Sequence, residues 1–172
     1  MVAPVRRHAF VLAGARSVVS CALLVAAYYV LPLDSTIVGA GLGRLAIGLA
    51  LVLAVTALLL GGIARSPHPV LRGVELLAVV LPMFLLVFAS TYFVLATTGA
   101  NFNVPLTRTD ALYFAMTVFA TVGFGDIVAT SQVARVVVTL QMVGDLLVLG
   151  VLLRVVLTTV KRAVGRDRHP GD

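Results

Sequence analysis

The sequence predicts an all-α membrane protein, with four spanning helices and a re-entrant loop between the third and the fourth. Three observations carry this. Of 172 residues, 60% are hydrophobic and 12% charged, and the mean hydropathy is +1.10. Soluble domains are closer to half apolar and a quarter charged, and a water-soluble globule of this size has no interior able to hide so much apolar surface. The apolar residues fall in long runs near the length of about 20 that crosses a hydrocarbon core about 30 Å thick. The runs do not alternate in polarity, as a β-barrel would require. This balance excludes a soluble enzyme, a disordered chain and a nucleic-acid binder, despite a net charge of +6 and a pI near 10.5.

The first run, Ser17 to Leu33, has 17 residues without a charge and extends back past Arg16 to about Gly14. Arg6 and Arg7 give it the basic start of a signal peptide, but no small-x-small cleavage site follows, so a retained helix is expected. Ser35 to Gly41 reads as a Gly-rich outer turn. Leu45 to Ala64, 20 uncharged residues, is the second span. Arg65 and Arg72 bracket Ser66-Pro67-His68-Pro69, which divides an N-terminal two-helix module (residues 1–66) from a second module at 70–160. Leu76 to Leu95, interrupted by Pro82, is the third span. Val136 to Leu153, 18 residues with the single charge of Asp145, is the fourth. Residues 161–172 read as a short basic tail. The lone Cys21 has no partner for an intrachain disulfide.

The basic residues orient the chain. Arg6, Arg7, Arg16, Arg65, Arg72, Arg154, Lys161, Arg162, Arg166 and Arg168 fall on one side, and only Arg44, Arg108 and Arg135 on the other. Positive loops stay inside, so both termini are expected in the cytoplasm of a plasma-membrane protein. No span carries Arg at every third position, so no voltage-sensor helix is expected.

The outer segment from Thr97 to Gln132 is too long for a simple turn. It is also too apolar for a free loop, because Ala111 to Phe124 is almost wholly nonpolar. Non-helical backbone at membrane depth is tolerated only when buried in protein or lining a water-filled path. Thr107 and Asp110 form a capping-box pattern, and Asp110 suits the positive end of a helix dipole. The stretch Ala111 to Ala120 makes about three turns at 3.6 residues each. Then comes Thr121-Val122-Gly123-Phe124-Gly125-Asp126. Two glycines two apart permit backbone angles that other residues avoid. A chain alternating such angles points successive carbonyl oxygens the same way. One loop offers one oxygen per level; four symmetry-related loops make square rings able to replace an ion's water.

Thr121 to Asp126 resembles the selectivity filter of potassium channels. The short helix before it resembles their pore helix, and the third and fourth spans their outer and inner helices, over about Glu75 to Val160. The resemblance implies a homotetramer in a lipid bilayer. Carbonyls of Thr121, Val122, Gly123 and Phe124 would coordinate dehydrated K⁺, with the Thr121 hydroxyl completing the innermost site. Gly125 would shape the outer mouth, and Asp126 would concentrate cations just outside it. K⁺, as permeant ion, is the only cofactor implied; there is no nucleic-acid partner and no covalent chemistry. The pattern departs from the family at several positions. Phe124 stands for the usual Tyr, so its hydroxyl bond to the pore helix is absent. Tyr113 and Phe114 stand for two Trp, Thr117 for the usual acidic or apolar residue behind the filter, and Ala120 for a frequent Thr. Filter support is therefore expected to rest more on packing than on hydrogen bonds.

Asp145 lies mid-span and carries two readings: a carboxylate lining the ion cavity, or a carboxyl packed near Gln141 or Thr139 behind the pore helix. Gly144 is either an inner-helix hinge or a close-packing position, and Gly150 shares the question. Leu146, Leu149 and Leu153 either constrict the lower pore or face lipid. The function expected is passive, K⁺-selective conduction. The alternatives are a weakly selective cation channel and a non-conducting membrane subunit of a heteromeric channel.

Overall fold

In the computed structural model, residues 5–30, 42–63 and 69–166 are described. The Ser35–Gly41 turn, the core of the Ser66–Pro69 linker and the end of the basic tail lie outside these residues. Five helices follow one another: α1 (Val5–Val30), α2 (Leu42–Ile63), α3 (Pro69–Thr98), α4 (Arg108–Phe119) and α5 (Gln132–Arg166). Among the described residues there is no strand; Phe102 and Ala129 form one isolated antiparallel bridge.

Among the described residues, two helices are long and apolar enough to cross a bilayer: Leu76–Thr98 within α3 and Gln132–Val151 within α5. The apolar stretches Ser17–Val30 of α1 and Leu45–Leu58 of α2 are shorter, although the helices themselves run to 26 and 22 residues. α3 continues through Pro82 without a break.

α3 is the axis of the fold and packs against α1, α2, α4 and α5. Its sequence shows why. Phe84, Phe88 and Tyr92 recur every four residues and so share one face. They form a ladder of tilted and edge-on rings, with centroids 4.9 and 6.2 Å apart. At its upper end Tyr92 meets Phe102 and Phe114, at 5.9 and 5.0 Å. Such pairs add about 0.5–1.5 kcal/mol each beyond the area they bury. α5 closes on this ladder at Gly144, where a Cβ would stand 2.7 Å from Phe84 Cζ.

Candidate functional site

α4 begins as the Thr107/Asp110 pair requires. The Thr107 amide donates to Asp110 Oδ2 (2.9 Å), and the Asp110 amide donates to Thr107 Oγ1 (3.2 Å), which closes a capping box. The Thr107 hydroxyl also donates to Asp110 Oδ2 (2.6 Å). These bonds hold the Asp110 carboxyl below its usual pKa. The helix runs 12 residues, a rod of about 18 Å, and buries Ala111, Phe114, Ala115 and Thr117.

The chain then leaves the helix by two bonds to its last turn: Thr121 N to Val118 O and Val122 N to Thr117 O, both 3.0 Å. φ is positive at Thr121 (+55°), Gly123 (+56°) and Gly125 (+80°). Positive φ at every second residue reverses alternate peptide planes. Gly123 and Gly125 adopt it at no steric cost. Thr121 is the only non-glycine with positive φ among the described residues. That conformation costs an L-residue about 1–2 kcal/mol, and the two bonds to the α4 terminus oppose the loss.

Around this loop the site is braced on three sides. On its own helix, Thr117 is buried and its hydroxyl donates to Phe114 O (2.8 Å). Tyr113 stacks flat on Phe124, centroids 6.3 Å apart and planes within 6°, and the nearby Asp126 carboxylate raises the pKa of its phenol. Phe114 is locked into the α3 aromatic cluster. Phe114 and the Tyr113–Phe124 stack thus meet the loop's surroundings through ring contacts. The nearness of the Tyr113 phenol to Asp126 is a polar feature that the sequence does not disclose.

On the outer side, the loop after α3 pairs with the chain that follows Gly125. Asn103 Nδ2 donates to Asp126 O (2.8 Å), and the Val128 amide donates to Asn103 Oδ1 (2.7 Å). The Asn103 amide donates to Val128 O (3.0 Å). Asn101 receives the Thr130 amide on its carbonyl (2.9 Å), and its side-chain oxygen pairs with the Ser131 hydroxyl (2.5 Å). Ser131 Oγ in turn caps the start of α5 at Ala134 N (3.1 Å). The local signal was present, since Asn side chains in loops bond nearby backbone. Their partners, some 25–30 residues on, could not be read off the sequence.

On the inner side is a buried polar chain. Tyr92 Oη donates to Gln141 Oε1 (2.7 Å), and Gln141 Nε2 donates to Ala115 O (2.8 Å), joining α3, α5 and α4. Both side chains are fully buried. Asp145, one turn below, is 3% exposed. Its Oδ2 lies 3.5 Å from Gln141 Nε2, and its Oδ1 has no partner among the described residues. Asp145 thus sits buried beside Gln141, whereas Leu146, Leu149, Gly150 and Leu153 are exposed on the single chain. Gly144 is filled by Phe84, whereas nothing stands within 4 Å of a Cβ at Gly150.

Residues 80–162 match the family model described as ion channel. That segment takes in most of α3, all of α4, the loop and nearly all of α5. No curated protein and no solved structure gives a match. That segment, just under half of the chain, is similar to the ion-channel family, and α3 and α5 each hold a stretch long and apolar enough to cross a membrane.

Proposed function

We propose that four copies of this chain assemble around a common axis as a K⁺-selective channel, conducting passively through Thr121 to Phe124. The observation that carries the reading is the positive φ at Thr121, Gly123 and Gly125. Alternation of this kind lets consecutive carbonyls share one direction, which is what a stack of oxygen rings needs. Each ring stands in for the water an ion sheds, and adjacent sites let ions displace one another. The exposed filter backbone and the apolar, exposed surface of α5 support assembly, since one copy leaves both uncovered.

α4 ends at the loop with its carbonyl terminus, and four such dipoles add negative potential where a cation must leave bulk water. Asp126 at the outer end, its carbonyl bonded by Asn103, concentrates cations there. With this goes a four-span topology with both termini cytoplasmic, in which α1 and α2 also cross the bilayer.

The test is flux from liposomes holding the purified chain. The expected result is Ba²⁺-sensitive K⁺ flux with a reversal potential that follows the K⁺ gradient. A reversal potential near zero under opposed K⁺ and Na⁺ gradients would mean a weakly selective cation channel. Absence of any flux would point to a non-conducting subunit.

A further inference from the structure

The N-terminal helices have no assigned task in conduction, yet α1 ends on the start of α4. Arg108 is the first residue of α4. Its Nη1 donates to Tyr28 O and to Tyr29 O, both at 2.7 Å. Tyr28 Oη answers by donating to Arg108 O at 2.7 Å. Tyr29 Oη and Thr109 Oγ1 share a further bond at 3.1 Å. These contacts join residues about 80 positions apart in sequence. The guanidinium also lies 5.5 Å from the centroid of Phe93 on α3, a cation–π distance.

The electrostatics say whom Arg108 serves. The first turn of a helix is the positive end of its dipole, so a cation there opposes α4 itself. The last carbonyls of α1 are the negative end of another helix and lack intrahelical donors. One guanidinium bonding two of them caps α1. Its position is unfavourable for the helix that carries it and favourable for the helix it reaches. Tyr28, buried at 4% exposure, closes the contact in the opposite direction. α4 is thereby held at its upper end by α1, in its middle by Gln141, and at its lower end it passes directly into Thr121.

We infer that Arg108 and Tyr28 are positioning residues that latch the end of α1 to the start of the pore helix, so that the N-terminal module sets how well the filter conducts. The inference rests on the channel reading above. Movement of α1 relative to α3 displaces the upper end of a rigid rod about 18 Å long, and the filter hangs from its other end.

The experiment uses the full chain in liposomes, comparing wild type with Arg108→Gln, Arg108→Lys and Tyr28→Phe, each checked for an intact oligomer. Two quantities are read: the K⁺-to-Na⁺ permeability ratio, and amide hydrogen exchange over residues 111–116. Losing a charged hydrogen-bond pair corresponds to about tenfold in an equilibrium. Arg108→Gln is therefore expected to speed exchange about tenfold and to lower the permeability ratio. Tyr28→Phe should do so less strongly, and Arg108→Lys, which keeps one charged donor, should fall between Arg108→Gln and wild type. Exchange and permeability ratio both unchanged in Arg108→Gln and Tyr28→Phe would overturn the latch. Faster exchange with an unchanged ratio would overturn its role in conduction. If wild type conducts nothing, the channel reading fails first, and exchange alone decides whether α1 holds α4.

Discussion

Gln141 is the residue on which most of the buried polar chemistry converges. Its fully buried amide serves a phenol from α3, a main-chain oxygen of α4 and, at 3.5 Å, the Asp145 carboxyl. Its removal is costly because burial makes an unpaired polar group expensive, not because either bond is strong in itself. Gln141→Leu keeps the apolar volume but orphans Tyr92 Oη. We expect a loss of about 1–3 kcal/mol per protomer, read as a lower melting temperature of the detergent-solubilised protein. Adding Tyr92→Phe removes the orphaned hydroxyl and should recover part of that loss, which a thermal double-mutant cycle would measure. If the single and double variants melt together, Tyr92 does not depend on Gln141. Both sequence readings of Asp145 were compatible with a 3.6-residue period. The choice depended on which face of α5 meets α3, and that is set by the fit of Gly144 against Phe84.

At the scale of elements, α4 is the one most fully written in local sequence. A cap residue, an acid three positions on and an apolar stretch between two spans were enough to place it, and the capping box closes as the spacing requires. Thr107→Ala should cost about 1 kcal/mol of α4 stability, seen as faster amide exchange in the first turn. The Asp110 carboxyl is held below its ordinary pKa by the Thr107 hydroxyl and amide. Stabilisation from its charge is therefore complete above the unfolded value near 4 and is lost as pH falls through the lower, folded value. First-turn exchange in wild type should quicken on acidification through that window, and Asp110→Asn should show no such step. The effect is modest because the box faces solvent. What local sequence did not disclose was what α4 leans on. In the sequence Arg108 is one of three basic residues on the outer side, and nothing singles out Asn101 or Asn103. Their partners lie far along the chain, and no local propensity encodes such contacts.

At the scale of the whole molecule, α3 packs against α4 and α5, which share with it the ion-channel match, and also against α1 and α2. A protomer that exposes Val133, Val136, Leu140, Val143, Leu146 and Leu147 along α5 presents an apolar surface that only lipid or other copies can cover. If K⁺ binds between four copies, it binds the assembled form and not the separate chains, and mass action then stabilises the assembly. The oligomer is expected to have the mass of four chains in mild detergent. It should also resist heat dissociation better in K⁺ than in Na⁺ at equal ionic strength. Equal stability in both salts would count against ordered ion sites.

By itself the sequence determined the solvent, the helices and the place of the loop. These depend on local quantities: the length of an apolar run, a cap with an acid three residues on, and glycines two apart where the backbone must turn left-handed. Which side chains meet came from the packing of the helices: Arg108 with the end of α1, Asn103 with the chain after Gly125, Tyr113 with Phe124, and Asp145 with Gln141. Those pairings follow from how helices rotate and approach one another. That is settled by the summed packing of distant residues, and no short stretch of sequence carries it.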